Sequence, residues 1–100
     1  MKISDFTKIQ KVLGAGLASE DGFIIEGQAR FEYDMDKLSA IAARVANRIK
    51  NSLDVEKASA IIYTQDNVLF IRSSTEGIVF VICQKDANVG LVKIRLEKLT

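Results

Sequence analysis

Three short segments rich in β-branched residues, all within residues 57–83, constrain the fold more than any other feature of this sequence. They read KASAIIYT, NVLFIRS and GIVFVIC, and the turn signals QDN and STEG separate them. Connections this short join antiparallel strands, because a parallel pair needs a crossover of roughly a dozen residues or more. The three segments therefore predict an antiparallel meander.

A hairpin and a long helix are predicted before the meander. The segments GAGLA and GFIIEGQAR flank the turn SEDG, where Asp21-Gly22 supplies a residue that tolerates positive φ. Residues 34–53 then repeat with the helical period of about 3.6, and Asp34 is the expected N-cap. The apolar face that we expect against the sheet consists of Met35, Leu38, Ile41, Ala42, Val45, Ala46, Ile49 and Leu53.

A short first helix is predicted at the start of the chain, where apolar residues recur at helical spacing. We expect this helix to lie on the sheet. The residues that trace its stripe are Ile3, Phe6, Ile9, Gln10 and Leu13.

The tail, residues 85–99, fits two patterns. Residues 92–97 alternate apolar and charged side chains, which is typical of a half-buried strand. The apolar residues also recur at helical spacing, as Val89, Val92, Leu96 and Leu99. We favour the helix, because the residues DAN supply capping groups before it. The preceding strand IVFVIC is also apolar throughout, which indicates a central strand with no free edge for a sixth.

Composition excludes several classes of function. The chain has no histidine and one cysteine, which removes Ser-His and Cys-His catalytic pairs and the usual zinc-binding sets. Cys83 lies in the run IVFVIC, so we expect it in the core. The 14 Lys and Arg residues are dispersed and balance 13 Asp and Glu, which leaves no basic stripe for nucleic acid. No apolar stretch approaches the roughly 20 residues that span a bilayer. We therefore expect one cytoplasmic domain, residues 1–100, without enzymatic activity, cofactor, metal, nucleic acid or membrane insertion.

Together these elements predict an α+β domain with a five-stranded antiparallel sheet, in which a long helix connects strands two and three. The order of elements, the hairpin SEDGFIIEG and the tail DANVGLVKIRL resemble the roadblock / dynein light chain family, which includes regulators of Ras-like small GTPases. In the tail, many bacterial and archaeal members have an Asn-x-Gly-Leu run followed by a basic residue, which here corresponds to Asn88, Gly90, Leu91 and Arg95. The resemblance spans nearly the whole chain and implies the strand order 2-1-5-4-3, a profilin-like architecture and a helical tail.

The resemblance also implies a homodimer in which strand three pairs with its copy and the second helices lie side by side. The segment KASAIIYT fits this role, because it has no proline and carries its only charge at its start, so it lacks the usual protection of an edge strand. On the helix, a row of small and short polar residues permits close approach, although alanine is also simply a good helix former on a solvated face. The residues predicted at the dimer interface are Ala40, Ala43, Asn47, Ala58, Ala60, Ile61, Ile62 and Tyr63.

The function that the resemblance implies is a non-enzymatic homodimer that binds a Ras-like small GTPase, as a regulator or as a scaffold. Basic residues beside the row on the long helix suit an acidic partner surface, or are solvated helix charges. The predicted GTPase-binding residues are Asp36, Lys37, Arg44, Arg48 and Asn51.

A PAS-type small-molecule sensor is the alternative, since it also has a five-stranded antiparallel sheet with helices between strands two and three. The single continuous helix argues against it. So does an aromatic content of 7% with no Trp or His to line a ligand cavity.

Overall fold

The helices and strands follow the order predicted from the sequence. The computed structural model describes residues 3–30 and 33–98. The elements are α1 (Ser4–Thr7), β1 (Val12–Ala18), β2 (Ile24–Ala29), α2 (Met35–Leu53), β3 (Ser59–Tyr63), β4 (Asn67–Ser74), β5 (Gly77–Gln84) and α3 (Val89–Glu97). The α+β class is confirmed.

Five strands form one antiparallel sheet in the order β2-β1-β5-β4-β3, as predicted. β5 is the central strand, and its residues 78–83 are all buried. The turn between β1 and β2 contains Gly22 with a φ of 94°, the positive value expected there. β2 and β3 form the two edges of the sheet.

The tail is a helix, which decides between its two sequence patterns. The side-chain oxygen of Asn88 accepts a hydrogen bond of 3.0 Å from the backbone N–H of Leu91, so it caps α3 as predicted. Val92 and Leu96 are buried in the core. Because β1 and β4 already flank β5, the tail covers a face of the sheet instead of pairing with it. Leu99 lies outside the described residues.

The first helix is shorter than the apolar spacing predicts. α1 ends at Thr7, and Leu13 lies inside β1. Lys11 adopts a left-handed conformation with a φ of 70°, which interrupts helical geometry before β1 begins. Phe6 and Ile9 are nevertheless buried on the sheet, as expected.

Two clusters of buried residues cover the two faces of the sheet. One lies under α1 and α3 and includes Phe6 and Val92. The other lies under α2 and includes Ala42 and Phe80. Cys83 belongs to the first cluster, in the core where the sequence predicts it. The sheet is therefore a central layer with helices on both sides.

Helix α2 lies on the sheet with part of the predicted face, since Ala42 and Ala46 are buried and the larger Met35, Leu38, Ile41 and Val45 pack only partly buried against the cluster beneath it. Its buried residues are Ser39, Ala42, Ala43 and Ala46. Leu38, Ile41 and Val45 are only partly buried, and Leu53 is 68% exposed. The helix is thus rotated about its axis, and its larger side chains lie on a flank.

The ring of Phe80 gives the physical reason for this rotation. Phe80 pairs with Gly16 across β5 and β1, and its ring lies so close that a Cβ at Gly16 would overlap it. The ring is fully buried in the cluster beneath α2. Since protein interiors are close-packed, a large ring on this face of the sheet leaves room for only short side chains above it.

Gly77 and Gly90 offer a matched pair of glycine-to-alanine substitutions. Gly77 has a φ of 143°, and a Cβ there would overlap the carbonyl oxygen of Ala18, whereas a Cβ at Gly90 would meet nothing closer than 3.6 Å. We expect Gly77→Ala to lower the free energy of unfolding by about 1–3 kcal/mol through backbone strain. Gly90→Ala should raise it by up to about 1 kcal/mol through helix propensity. Denaturant unfolding followed by circular dichroism measures both values, and equal effects would contradict this packing.

Candidate functional site

Cys83 carries the one thiol of the chain. Burial raises the pKa of Cys83 to about 12, so the thiol stays protonated and unreactive at neutral pH. Within residues 3–30 and 33–98, no three or more His, Cys, Asp or Glu side chains are grouped as a metal site would require. In the same ranges, no helix combines the length and the apolar character of a membrane span.

Strand β3 forms an edge of the sheet without the features that usually protect an edge. It contains neither a charged residue nor a proline, and its pairing with β4 runs without a register shift. Ile61 pairs with Phe70, lines a groove beside α3 and is 37% exposed, while Tyr63 is 66% exposed. Ala60 and Ile62 are half-buried. Four of the residues predicted at the dimer interface therefore lie together on this edge.

Ala58, also predicted at the interface, lies just before β3. Its backbone N–H donates to the hydroxyl of Ser73 at 2.7 Å, and its carbonyl accepts from the backbone N–H of Ser73 at 2.9 Å. These bonds tie the start of the edge strand to β4.

One flank of α2 carries an aliphatic ridge, which we define as Leu38, Ile41 and Val45. All three side chains are partly buried and pack against the cluster under the helix, as Ile62 of β3 does. The opposite flank of α2 faces the β1–β2 turn, so the ridge lies on the side of the helix nearer β4 and β3. The aliphatic ridge and the β3 edge therefore lie on the same side of α2, where the ridge and Ile62 both pack against the cluster beneath the helix.

The other flank of α2 is occupied by the turn between β1 and β2. A Cβ at Gly22 would lie 3.4 Å from the Cα of Ala40 and 3.8 Å from the Cβ of Ala43. The amide nitrogen of Asn47 donates to the carbonyl oxygen of Glu20 at 2.8 Å. Ala43 is 3% exposed, while Ala40 remains on the surface. The small residues of the predicted row do permit close approach, and the segment that approaches is a turn of the same chain.

The outer face of α2 brings together the residues predicted to bind a GTPase. Lys37, Arg44 and Arg48 lie seven and four residues apart, which places them in one line along the helix, and all three are exposed. We call these three residues the basic stripe. Asp36 and Asn51 are exposed on the same helix. The basic stripe adjoins the aliphatic ridge, because Ile41 lies four residues after Lys37 and three before Arg44 on the helix.

Asn47→Ala is expected to loosen the β1–β2 turn. The substitution deletes the hydrogen bond to the carbonyl of Glu20 and should lower the free energy of unfolding by about 1 kcal/mol. Hydrogen–deuterium exchange of residues 19–23 should become faster. Asn51→Ala, one turn further along the helix, is the matched control: it makes the same change in helix propensity without losing this bond, so the difference between the two variants measures the bond, and exchange of residues 19–23 should stay unchanged in it. Unaltered exchange in Asn47→Ala would show that this bond does not hold the turn.

The structure resembles solved roadblock/LC7 domains. It matches the roadblock/LC7 domain from Streptomyces avermitilis with a TM-score of 0.84 at 13% identity, over 97% of this chain and 87% of that chain. The gliding protein MglB from Thermus thermophilus gives 0.82 at 14% identity, over 97% and 78% of the two chains. MglB from Myxococcus xanthus gives 0.78 at 16% identity, over 95% and 82%. No family model and no curated protein sequence matches.

The chain therefore has the roadblock/LC7 fold, as the hairpin and the tail implied. The strand order and the placement of the three helices agree with that fold. The PAS-type alternative is not the architecture observed, since one continuous helix of 19 residues connects β2 and β3.

Proposed function

We propose that this chain forms a non-enzymatic homodimer, with one roadblock-like domain over residues 1–100 of each copy, that binds a Ras-like small GTPase in the cytoplasm. The dimer would regulate the GTPase or anchor it. The single observation that carries the proposal is the unprotected edge of β3, on the side of α2 that carries the aliphatic ridge. The class of partner comes from the roadblock resemblance, and the basic stripe supplies a surface suited to it.

The dimer is favoured because β3 leaves backbone N–H and C=O groups unpaired at the sheet edge, and because the ridge leaves apolar side chains partly exposed to water. Pairing β3 with its copy about a two-fold axis would join the two sheets and use the open backbone groups of the edge. The partly exposed residues Leu38, Ile41 and Val45 would then meet their counterparts and lose contact with water. On α2 we assign the contact to this ridge rather than to Ala40, Ala43 and Asn47, because the β1–β2 turn already lies against those three residues. On β3 the contact residues are Ala58, Ala60, Ile61, Ile62 and Tyr63.

The GTPase surface follows from the position of the basic stripe. In the proposed dimer both copies of α2 lie on the same face of the joined sheet, so the two basic stripes are exposed side by side. A concentration of positive charge accelerates encounter with an acidic surface and contributes rim contacts. Asp36, Lys37, Arg44, Arg48 and Asn51 are the proposed contact residues.

Val45→Glu and Ile61→Lys test the dimer. Wild-type protein at micromolar concentration should scatter light with a mass of about twice 11.1 kDa. Each substitution places a charge in the proposed interface and should shift the mass to that of one chain, while circular dichroism shows an intact fold. Ile94→Ser removes an exposed apolar side chain from α3 and serves as the control, with the dimer mass retained. A wild-type mass of one chain would refute the dimer.

The triple variant Lys37→Glu, Arg44→Glu, Arg48→Glu tests the GTPase surface. The probes are purified Ras-like small GTPases of the source organism, loaded with GDP or with a non-hydrolysable GTP analogue. We expect wild-type protein to bind at least one of them, and the triple variant to bind it about tenfold or more weakly at low salt. Lys85→Glu, in the exposed turn after β5, is the control and should bind like the wild type.

Two results would contradict this surface: no binding of any GTPase by the wild-type dimer, or equal binding by the triple variant. Where a GTPase binds, its rate of GTP hydrolysis with and without the dimer distinguishes an activator from a scaffold.

A further inference from the structure

Alternation along β3 determines which backbone groups face the open edge of the sheet. At one end, the backbone N–H of Thr64 donates to the carbonyl of Asn67 at 2.9 Å. At the other end, the backbone N–H of Ser73 donates to the carbonyl of Ala58 at 2.9 Å. Because the groups of successive residues point alternately to the two sides of a strand, the residues of odd number between these ends face away from β4. These residues are Ser59, Ile61 and Tyr63.

The side chains of the same three residues lie on the α3 face of the sheet. Ile61 pairs with Phe70, which belongs to the cluster under α1 and α3. Since side chains two residues apart on a strand point to the same face, Ser59 and Tyr63 lie on that face too. Tyr63 is 66% exposed, so its ring has little contact within its own chain. This face therefore presents an exposed ring at one end of β3 and a short serine at the other.

A groove on this face runs between β3 and α3. Its lining combines the strand residues Ser59 and Ile61 with buried apolar side chains and with exposed charged ones. The buried side chains are Phe70 and Leu96, and the charged ones are Lys93 and Glu97 of α3. An apolar lining with a charged rim suits a side chain that is apolar along its body and polar at its tip, as tyrosine is.

We propose that two copies of β3 pair antiparallel in the register centred on Ile61, so that Tyr63 of each copy enters the groove beside α3 of the other. In this register Ile61 faces its own counterpart across the two-fold axis, and Ser59 faces Tyr63 of the second copy. All three outward residues then exchange backbone hydrogen bonds with outward residues of the other strand. The neighbouring two-fold registers would pair Tyr63 with Lys57, or Ser59 with Gln65, both outside β3. The inference rests on the proposed function, because it specifies the geometry of the proposed dimer.

The proposed register brings the exposed ring to the groove. Residues that pair across antiparallel strands carry their side chains on the same face, with Cβ atoms roughly 4.5–5.5 Å apart. The ring of Tyr63 therefore lies over Ser59 of the second copy, which contributes only a short side chain to the groove. There the ring loses contact with water against Phe70 and Leu96, and its hydroxyl lies near the charged rim. Each copy thus supplies the side chain that fills the groove of the other.

Cysteines introduced on β3 test the register in the full-length protein. Residues that exchange backbone hydrogen bonds across antiparallel strands have Cα atoms about 5.5 Å apart, which is within the range that a disulfide bridges. We expect Ile61→Cys to form a cross-linked dimer on oxidation. Ser59→Cys and Tyr63→Cys should each stay uncross-linked alone and should cross-link when the two variants are refolded together. Non-reducing gel electrophoresis measures the products, and the buried Cys83 takes no part.

Truncation of the ring tests its place in the groove. We expect Tyr63→Ala to raise the dissociation constant of the dimer about tenfold or more, because each copy loses a side chain that the other buries. Tyr63→Phe keeps the ring and should retain most of the affinity. Phe23→Ala is the matched control and should leave the constant unchanged, since Phe23 is 74% exposed and directly precedes β2, the opposite edge of the sheet. Sedimentation equilibrium measures the constants.

The outcomes separate this inference from the dimer on which it rests. If the wild type has the mass of two chains but Ser59→Cys and Tyr63→Cys do not cross-link together, or either cross-links alone, the register is wrong and the dimer stands. If Tyr63→Ala dimerises no more weakly than Phe23→Ala, the ring does not occupy the groove. If the wild type has the mass of one chain, both proposals fall together.

Discussion

The close contact between α2 and the sheet determines most of what the surface of this molecule presents. Ser39, Ala42 and Ala46 lie fully or almost fully buried above a sheet face that already contains the ring of Phe80. Because the space between the two layers is filled by that ring, the helix can approach only with short side chains. The rotation that follows moves the larger aliphatic side chains to one flank and admits the β1–β2 turn on the other.

The two edges of the sheet differ in chemistry, and the difference decides which edge suits a second copy. β2 carries Glu26 in mid-strand, and its pairing with β1 shifts register between Leu17 and Ala18. A charge and a bulge are the usual means by which a protein discourages pairing at an open edge. β3 has neither feature, and it lies on the side of α2 that carries the aliphatic ridge. One edge is thus protected and the other is open beside apolar surface.

Local signals in the sequence predicted the order of elements and several caps correctly. Asp34 accepts a hydrogen bond from the backbone N–H of Lys37 at 3.0 Å, and Asn88 caps the tail helix, both as the residue types indicate. These features depend on neighbours within a few residues. The rotation of α2 does not, since it depends on a contact between the helix and the ring of Phe80, which is distant in the chain. The helical spacing of apolar residues contains no information about that contact. It therefore predicts Leu53 in the core, although Leu53 is exposed.

At the candidate site, local sequence signals likewise do not show which segment contacts the row that includes Ala40, Ala43 and Asn47. Small residues on a helix face indicate that something approaches closely, and they do not indicate whether it belongs to the same chain or to another. The turn SEDG was visible as a turn, but its docking on α2 depends on the register of β1 with β5 and on the height of the helix above the sheet. Both are properties of the assembled fold rather than of either segment.

Similarity of fold at 13–16% sequence identity indicates how the helices and the sheet are arranged, but it says little about which side chains are exposed on the surface. A fold supports many functions, and partner choice is decided by the residues at the site. In the proposed complex those residues lie on the outer face of α2, where Lys37, Arg44 and Arg48 form one line of positive charge. Because the three basic side chains lie in one line, the proposed surface would discriminate between partners by the arrangement of their charges as well as by net charge. A partner whose acidic residues match the spacing of the basic stripe would gain more rim contacts than a partner of equal net charge whose acidic residues lie elsewhere.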